Sequence, residues 1–513
     1  MKRKALFHSF IFALAFLLYQ YSLASIIASP DQIVRPLFIL WLGLLILAFL
    51  AYWLTNNWEW TGILLSVFAL GFFTSRAIFY AFGLISLIGI LIWVLVSWLR
   101  RRRIQIEQIN FLLIFISSLL VVIIAVFRII WPLSFVPWSY YEEVVLSPKR
   151  ELVAQPIIPD VRPDVYYVVL DGYGRADVLQ ELYGFENREF IKYLNERGFI
   201  VPENSHSNYP KTALSVASTL NMDYIQSITP GLQDSNYWWL MSPLIDHSEV
   251  RAILEQAGYK TVAIASDWSI TDNPTVDYYF KPFPVHLNDF EGFLLGSTPL
   301  GALSSVLRNV AYMPSMDAHR RLVAYNFETL SKIPDIQGPK FVFAHIVSPH
   351  PPFVFDGDGN PLDPEYPFSF NDANDFPGTP DEYRNGYIGQ VEYVNRQLEQ
   401  VIDTLIEKSV VAPIIILQAD HGPGLLVDFR SAKNTCIRER YSVFAAYYMP
   451  GATPDSIPDD ITPINIFRII FNQYFGSDLS LLENSYYYYE ETVYIYRSVD
   501  VSNRIGETCD ATP

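Results

Sequence analysis

Asp164-Val165-Tyr166-Tyr167-Val168-Val169-Leu170-Asp171-Gly172-Tyr173-Gly174-Arg175 is the most informative stretch of the chain. Six apolar, β-favouring residues run into an aspartate and a glycine turn, the pattern of a parallel strand buried on both faces that ends by handing a carboxylate to a site. Open α/β sheets bind ligands beyond the carboxyl ends of such strands. Asp171 is therefore read as a site residue whose partners lie further along the chain.

Beyond this strand the pattern repeats. Apolar strand-like runs fall at 261–266, 340–347, 412–419 and 442–449, and helical patterns near 176–197, 211–221, 245–257, 317–333 and 383–408. Alternation of this kind predicts βαβ units and a mainly parallel sheet covered on both faces. Residues 356–382, dense in Asp, Gly and Pro, read as a long surface loop, and Tyr486 to Arg497 as a small terminal hairpin or edge strand. Asp356-Gly357-Asp358-Gly359-Asn360 begins like a calcium loop, but Pro361 stands at the glycine position and no Glu falls at the twelfth, so a turn is expected.

With 513 residues the chain needs at least two folding units. Residues 1–132 carry ten Lys+Arg and three Asp+Glu, a net of +7; the remaining 26 basic and 50 acidic residues give 133–513 a net of −24. That acidity excludes nucleic acid as a partner, because a phosphate backbone requires a basic face. Apolar runs at about 5–28, 37–54, 60–75, 77–98 and 109–131 approach the ~20 residues that span a bilayer. An all-α transmembrane bundle of about five helices is expected. Lys2, Arg3 and Lys4 precede the first run and Arg100-Arg101-Arg102-Arg103 follow the fourth; both clusters should be cytoplasmic, and the fifth span then delivers everything after about Trp131 to the outside. The length of the first run and the four that follow favour an uncleaved helix over a signal peptide. The expected division is a transmembrane domain over 1–132, a Pro-, Ser- and charge-rich linker over 133–163, a catalytic domain over 164–450 and its C-terminal subdomain over 451–513. Cys436 and Cys509 both fall in the external part, where an oxidising compartment permits a disulfide; two unpaired thiols are the alternative.

Three expected strands end in residues suited to a metal or an anion. Asp171 closes the first, the run at 340–347 leads into His345-Ile346-Val347-Ser348-Pro349-His350, and 412–419 runs into Asp420-His421-Gly422. Carboxylates and imidazole at one end of a sheet form an N/O site for Zn²⁺ or Mn²⁺. Each alone has a plainer role: Asp171 or Asp420 as helix caps, His345 as a satisfied core histidine. Lys211-Thr212-Ala213-Leu214-Ser215 reads as a helix start after Pro210. Thr212 is either a simple N-cap or a nucleophile placed where a helix N-terminus favours anions. Arg175 and Lys211 are candidate anion contacts, with solvated surface charge as the alternative. Arg438-Glu439-Arg440 is read as a turn, solvated or at the mouth of the site.

The ordered set Val-Val-Leu-Asp171, Thr212-Ala-Leu-Ser-Val, His345 to His350 and Asp420-His421-Gly422 resembles the alkaline-phosphatase and sulfatase superfamily. It is most similar to the membrane-bound branch of lipoteichoic-acid synthases and phosphoethanolamine transferases, over about 161–450. The resemblance implies an α/β alkaline-phosphatase-like domain, with Asp171, Thr212, Asp420 and His421 as ligands of one divalent metal ion, Zn or Mn. It implies Thr212 as nucleophile, His350 as a catalytic, substrate-side histidine and His345 as a weaker companion. Two departures narrow it. No Cys/Ser-x-Pro-x-Arg segment exists for the formylglycine route of ordinary sulfatases, and no histidine follows His421 to complete a two-metal site. The branch usually has Glu where Asp171 stands. The expectation is a multi-pass plasma-membrane (inner-membrane) enzyme with an extracytoplasmic catalytic domain, cleaving or transferring a phosphorus ester of a membrane lipid or envelope glycan. A sulfuric or phosphoric monoester hydrolase and a non-catalytic envelope scaffold are the alternatives.

Overall fold

A computed structural model describes residues 6–74, 106–146, 158, 161–283, 287–298, 301, 314–490 and 494–509. The chain forms two compact units: Met1–Phe135 with Val285–Met313, and Val136–Pro284 with Pro314–Pro513. Residues 285–313 lie inside the stretch expected to be catalytic domain, yet group with the N-terminal helices.

In the first unit, α1 (Phe7–Ala24), α2 (Val34–Thr55), α3 (Trp58–Thr74) and α4 (Ile106–Ile124) are predominantly apolar. Phe7–Ala24, Pro30–Thr55 and Gln108–Leu133 are long and apolar enough to cross a membrane; α3 has 17 residues, and the expected span at 77–98 lies outside the described residues. Phe38, Trp53 and Phe111 point outward, 70%, 84% and 74% exposed, as side chains facing lipid would. Polar groups are turned inward instead. His8 of α1 bonds Ser66 of α3 at 2.6 Å and Asn110 of α4 at 2.8 Å, interhelical bonds of the kind that hold bundles together where hydrophobic burial gives no preference. Near the other end of α1, Ser22 receives a bond from Arg128, in the continuation of α4, so α1 and α4 run parallel.

The second unit is built on a six-stranded sheet, β1 (Val165–Leu170), β2 (Lys260–Ile264), β3 (Tyr278–Phe280), β4 (Lys340–Ile346), β5 (Ile414–Gln418) and β6 (Ala445–Tyr448), in the order β3-β2-β4-β1-β5-β6. All neighbours are parallel except β5 with β6. The sheet class matches the alternating pattern. The short β3 has no long apolar run and went unforeseen. The single helix expected over 176–197 is two, Ala176–Tyr183 and Arg188–Glu196, because Gly184 takes a left-handed φ of +72° that ends the first.

Every residue of β1 is buried, which explains its unbroken apolar sequence. Tyr166, Val168 and Leu170 share a core with Val323 and Phe327 of α6 (Met316–Leu330) and with Tyr387, Val394 and Leu398 of α7 (Pro380–Lys408). On the opposite face Tyr167 of β1 and Phe341 of β4 both meet Phe467 edge-on, from α8 (Pro463–Phe475), within the stretch expected to be a subdomain. The terminal hairpin exists as Tyr487–Tyr488 paired antiparallel with Val499–Asp500. Cys436 and Cys509 form a disulfide, with Cα atoms 5.6 Å apart. Asp356 accepts from the amides of Asp358 and Asn360, so the calcium-like motif is a turn.

Candidate active site

Strand register sets the first part of the site. Val169 lies opposite His345 in the β1–β4 pairing, so two residues further on, by the alternation of a strand, Asp171 emerges on the same face as His345. His345 Nε2 is 3.3 Å from Asp171 Oδ2. The other ring nitrogen of His345 lies 2.7 Å from Thr271 Oγ1 and 3.1 Å from Ser266 Oγ. His345 is 1% exposed and aimed at Asp171, an orienting contact rather than an open substrate surface.

Asp420 and His421 arrive from the end of β5. His421 Nε2 is 3.3 Å from Asp171 Oδ1 and 3.4 Å from Asp420 Oδ2. Its Nδ1 lies 2.9 Å from the Gly422 carbonyl, which can only accept; Nδ1 therefore carries the proton and Nε2 presents its lone pair to the carboxylates. Burial, then the nearby Arg440 guanidinium, push His421 below its ordinary range and keep the ring neutral. Gly422 is required by close approach, since a Cβ there would stand 2.1 Å from the Glu439 carbonyl oxygen.

Thr212 is the first residue of α5 (Thr212–Asn221), with Lys211 at the N-cap position and no side-chain capping bond. The simple-cap role is thereby removed. The Thr212 hydroxyl instead lies 3.2 Å from His421 Nε2. Lys211 places its ammonium 3.1 Å from the centroid of the Phe429 ring, a cation–π contact beside the nucleophile candidate. Arg175 is not brought to this cluster by its contacts: its guanidinium is held by Asp177 at 2.7 Å and by the Ser205 carbonyl at 3.1 Å.

One atom from each of Asp171, Asp420 and His421 lies within 4.8 Å of the others, all three side chains being buried. Gly172 N–H donates to Asp420 Oδ1 at 3.1 Å, whereas Asp420 Oδ2 and Asp171 Oδ1 have no hydrogen-bond partner. Burial alone would raise the Asp171 carboxyl, but His350, His345 and His421 around it hold it well below the usual carboxylate range. Two buried carboxylate oxygens without partners, a neutral imidazole and a hydroxyl are a donor set that fits a tetrahedral divalent ion such as Zn²⁺.

The other half of the site was hidden in the sequence. Asp372 belongs to the stretch expected to be surface loop, but is 6% exposed. It accepts from Arg440 Nη1 at 2.6 Å and from the Tyr383 hydroxyl at 2.8 Å, and lies 3.8 Å from His350 Nε2. Burial would raise its carboxyl; Arg440, His350 and His421 outweigh that and hold it low. Arg440 is 1% exposed, so Arg438-Glu439-Arg440 is no solvated turn. It also donates to the carbonyls of Pro210 and Gly422, tying together the approach to Thr212 and the Asp-His-Gly turn. From α7, Tyr387 donates to the Gly172 carbonyl and Gln390 to the His350 carbonyl, both near 3 Å. Tyr383, Tyr387 and Gln390 lie four and three residues apart, one face of a helix; that spacing was the only available signal.

A sequence model of the sulfatase family matches residues 163–474. The chain belongs to the sulfatase family. No curated protein matches it. Among solved structures it is similar to the periplasmic domain of EcEptC from Escherichia coli in complex with Zn, at 12% identity over 68% of this chain and 96% of that one, with a TM-score of 0.41. It is also similar to the lipooligosaccharide phosphoethanolamine transferase EptA from Neisseria meningitidis, at 14% identity over 72% and 69% of the two chains, TM-score 0.38. A third is BT1596, a 2-O GAG sulfatase, at 14% identity over 62% and 72%, TM-score 0.38. The chain is thus a sulfatase-family enzyme, and three of its apolar helices are long enough to cross a membrane.

Proposed function

We propose that this chain is a membrane-anchored, metal-dependent enzyme that cleaves or transfers a phosphorus ester through Thr212. The observation that carries the reading is the Thr212 hydroxyl, free of any capping bond and 3.2 Å from His421 Nε2, beside two buried carboxylate oxygens without partners. Asp171, Asp420, His421 and Thr212 would hold one divalent ion. Zn or Mn there supplies positive charge for the transferred group's oxygens and lowers the pKa of the hydroxyl.

Thr212 Oγ1, entering the step as an alkoxide whose proton has gone to solvent, forms the new bond to phosphorus as the bond to the leaving ester oxygen breaks, giving a phosphothreonine. His350 is the proton donor to the departing oxygen: Nδ1 is engaged by the Pro351 carbonyl at 2.6 Å, and Nε2 faces the site with Asp372 3.8 Å away. Water or an acceptor hydroxyl then attacks phosphorus, returns a proton to His350 and releases Thr212. Lys211 is placed to attract the incoming anion. The absence of a Cys/Ser-x-Pro-x-Arg segment favours phosphorus over sulfur. The apolar helices favour a lipid or envelope-glycan substrate presented at an inner membrane, with the domain on the extracytoplasmic side.

The test is the full-length protein, with and without Thr212→Ala, assayed on aryl phosphate, aryl sulfate and membrane lipid after metal analysis by mass spectrometry. Stoichiometric metal and phosphoester turnover that vanishes in the variant support the reading; an equally active Thr212→Ala enzyme overturns it.

A further inference from the structure

The short helix Ile437–Tyr441 cannot stand on its own, because its five residues are far below the roughly 12–15 that an isolated helix needs in water. It nevertheless carries Arg440, which holds Gly422 from both sides. The Arg440 carbonyl accepts from the Gly422 amide at 2.7 Å, and Arg440 Nη1 donates to the Gly422 carbonyl at 2.9 Å. That same carbonyl receives the Nδ1 proton of His421, also at 2.9 Å, and so fixes where Nε2 points. The orientation of His421 therefore depends on what fastens the helix. At its start the Cys436 amide donates to the Leu426 carbonyl at 2.9 Å, and Cys436 Sγ caps the helix by accepting from the Glu439 amide at 3.3 Å. The capping sulfur is also bonded to Cys509, in a terminal segment that packs along the same helix. Val501 and Ile505 of that segment share an apolar cluster with Ile437 and Tyr441, and Arg504 donates to the carbonyls of Ala432 at 2.6 Å and Thr435 at 3.3 Å. The cross-link removes the conformations in which helix and terminal segment separate. Both cysteines line a cavity of about 640 Å³, wide enough for a small thiol to reach them.

We propose that the Cys436–Cys509 disulfide is a positioning element for His421, acting through Arg440 and Gly422, and that a dithiol entering this cavity loosens the metal site. The second clause rests on the reading of Asp171, Asp420 and His421 as metal ligands. In the reaction one thiolate of the dithiol attacks the sulfur of Cys509, the S–S bond of the protein breaks, and Cys436 leaves as a thiolate. The second thiolate then attacks the mixed disulfide, closes a cyclic disulfide and releases Cys509. The dithiol is oxidised by two electrons, the protein disulfide is reduced by the same two, and the two protons that the dithiol gives up end on the two cysteines. The disulfide touches neither substrate nor metal, so its effect reaches the site only through the backbone of the helix it fastens.

The experiment measures amide hydrogen exchange by mass spectrometry on the metal-free full-length protein: oxidised, reduced with dithiothreitol that is then removed under nitrogen, reoxidised, and as the variant Cys436→Ser with Cys509→Ala. Residues 437–442 are read against β5 as an internal control, and the zinc affinity of each sample is measured by competition with a chromophoric chelator. On reduction, exchange over 437–442 is expected to quicken about tenfold with β5 unchanged, the zinc dissociation constant to rise about tenfold, and both to recover on reoxidation. The variant keeps a capping oxygen at position 436, so the same fast exchange there assigns the effect to the cross-link; slow exchange there assigns it to the cap and overturns the proposal. Unchanged exchange after reduction also overturns it, as does equal quickening in β5, which is general loosening. Fast exchange over 437–442 with unchanged zinc affinity overturns the link to the metal site. Should the variant not fold, the reduced and reoxidised parent decides. If the oxidised parent binds no zinc, the metal reading fails and exchange alone judges the positioning.

Discussion

Asp171 and Asp372 are both buried carboxylates held in their charged form, and both lie within 4 Å of a histidine, yet they occupy opposite situations. Asp171 Oδ1 and its neighbour Asp420 Oδ2 have no hydrogen-bond partner. Asp372 is saturated: Arg440 takes one oxygen and Tyr383 the other. A buried charge without a hydrogen-bond partner costs several kcal/mol, so it persists where something else is to be bound. One with a full set of partners is structural. Residue type and burial do not separate a ligand from a support; the partner count does.

The contrast can be broken most severely at the proposed nucleophile. Thr212→Ala is expected to lower phosphoester turnover by at least about 10³-fold while leaving the melting temperature near that of the parent, since no cap is lost. Steady-state kinetics and thermal unfolding together check this. Next come the proposed ligand carboxylates. Asp420→Asn keeps the Gly172 contact but should abolish metal retention and turnover, with neutral or increased stability of the metal-free protein because one unpartnered charge is gone; metal analysis alongside denaturant unfolding shows whether the two effects separate. The supporting half should behave in the reverse manner. Arg440→Met leaves Asp372 buried and unpaired and is expected to cost about 3–5 kcal/mol of stability. Adding Asp372→Asn should recover part of that loss, and a double-mutant cycle measures how much.

The smallest effect concerns Glu439, fully buried, with the Tyr183 hydroxyl donating to one oxygen and the Leu426 amide to the other. Burial pushes its carboxyl up from an ordinary 4.5 to about 7, against those two hydrogen bonds. The folded state therefore keeps a proton that the unfolded chain releases, and stability should fall as pH rises from about 4.5 to 7, by at most about 1.4 kcal/mol per unit. Glu439→Gln should flatten that slope. Parallel slopes in the two proteins would show that Glu439 titrates normally.

Much of the candidate ligand set was legible because it comes from strand ends. A buried strand writes its own signature, six apolar residues closed by a turn, and the residue after it must emerge at the ligand-binding edge. Asp171, Asp420 and His421 were readable for that reason, and Thr212 because a helix start is written locally by Pro210 and the apolar run after it. His345 was readable as a strand residue but not as a partner of Asp171, because register is a pairing between strands far apart in the chain. Asp372 and Arg440 carry no local sign: one sits in an irregular loop and the other in a charged triplet, and each looks solvated until the other covers it. The same holds for Glu291 and Arg35, whose pairing moves residues 285–313 from the unit their neighbours belong to into the membrane unit. Patterning of apolar residues is a local property of the chain, so it fixes elements and their ends. Satisfying a buried charge is a property of whatever packs against it, so it exists only once distant segments have met.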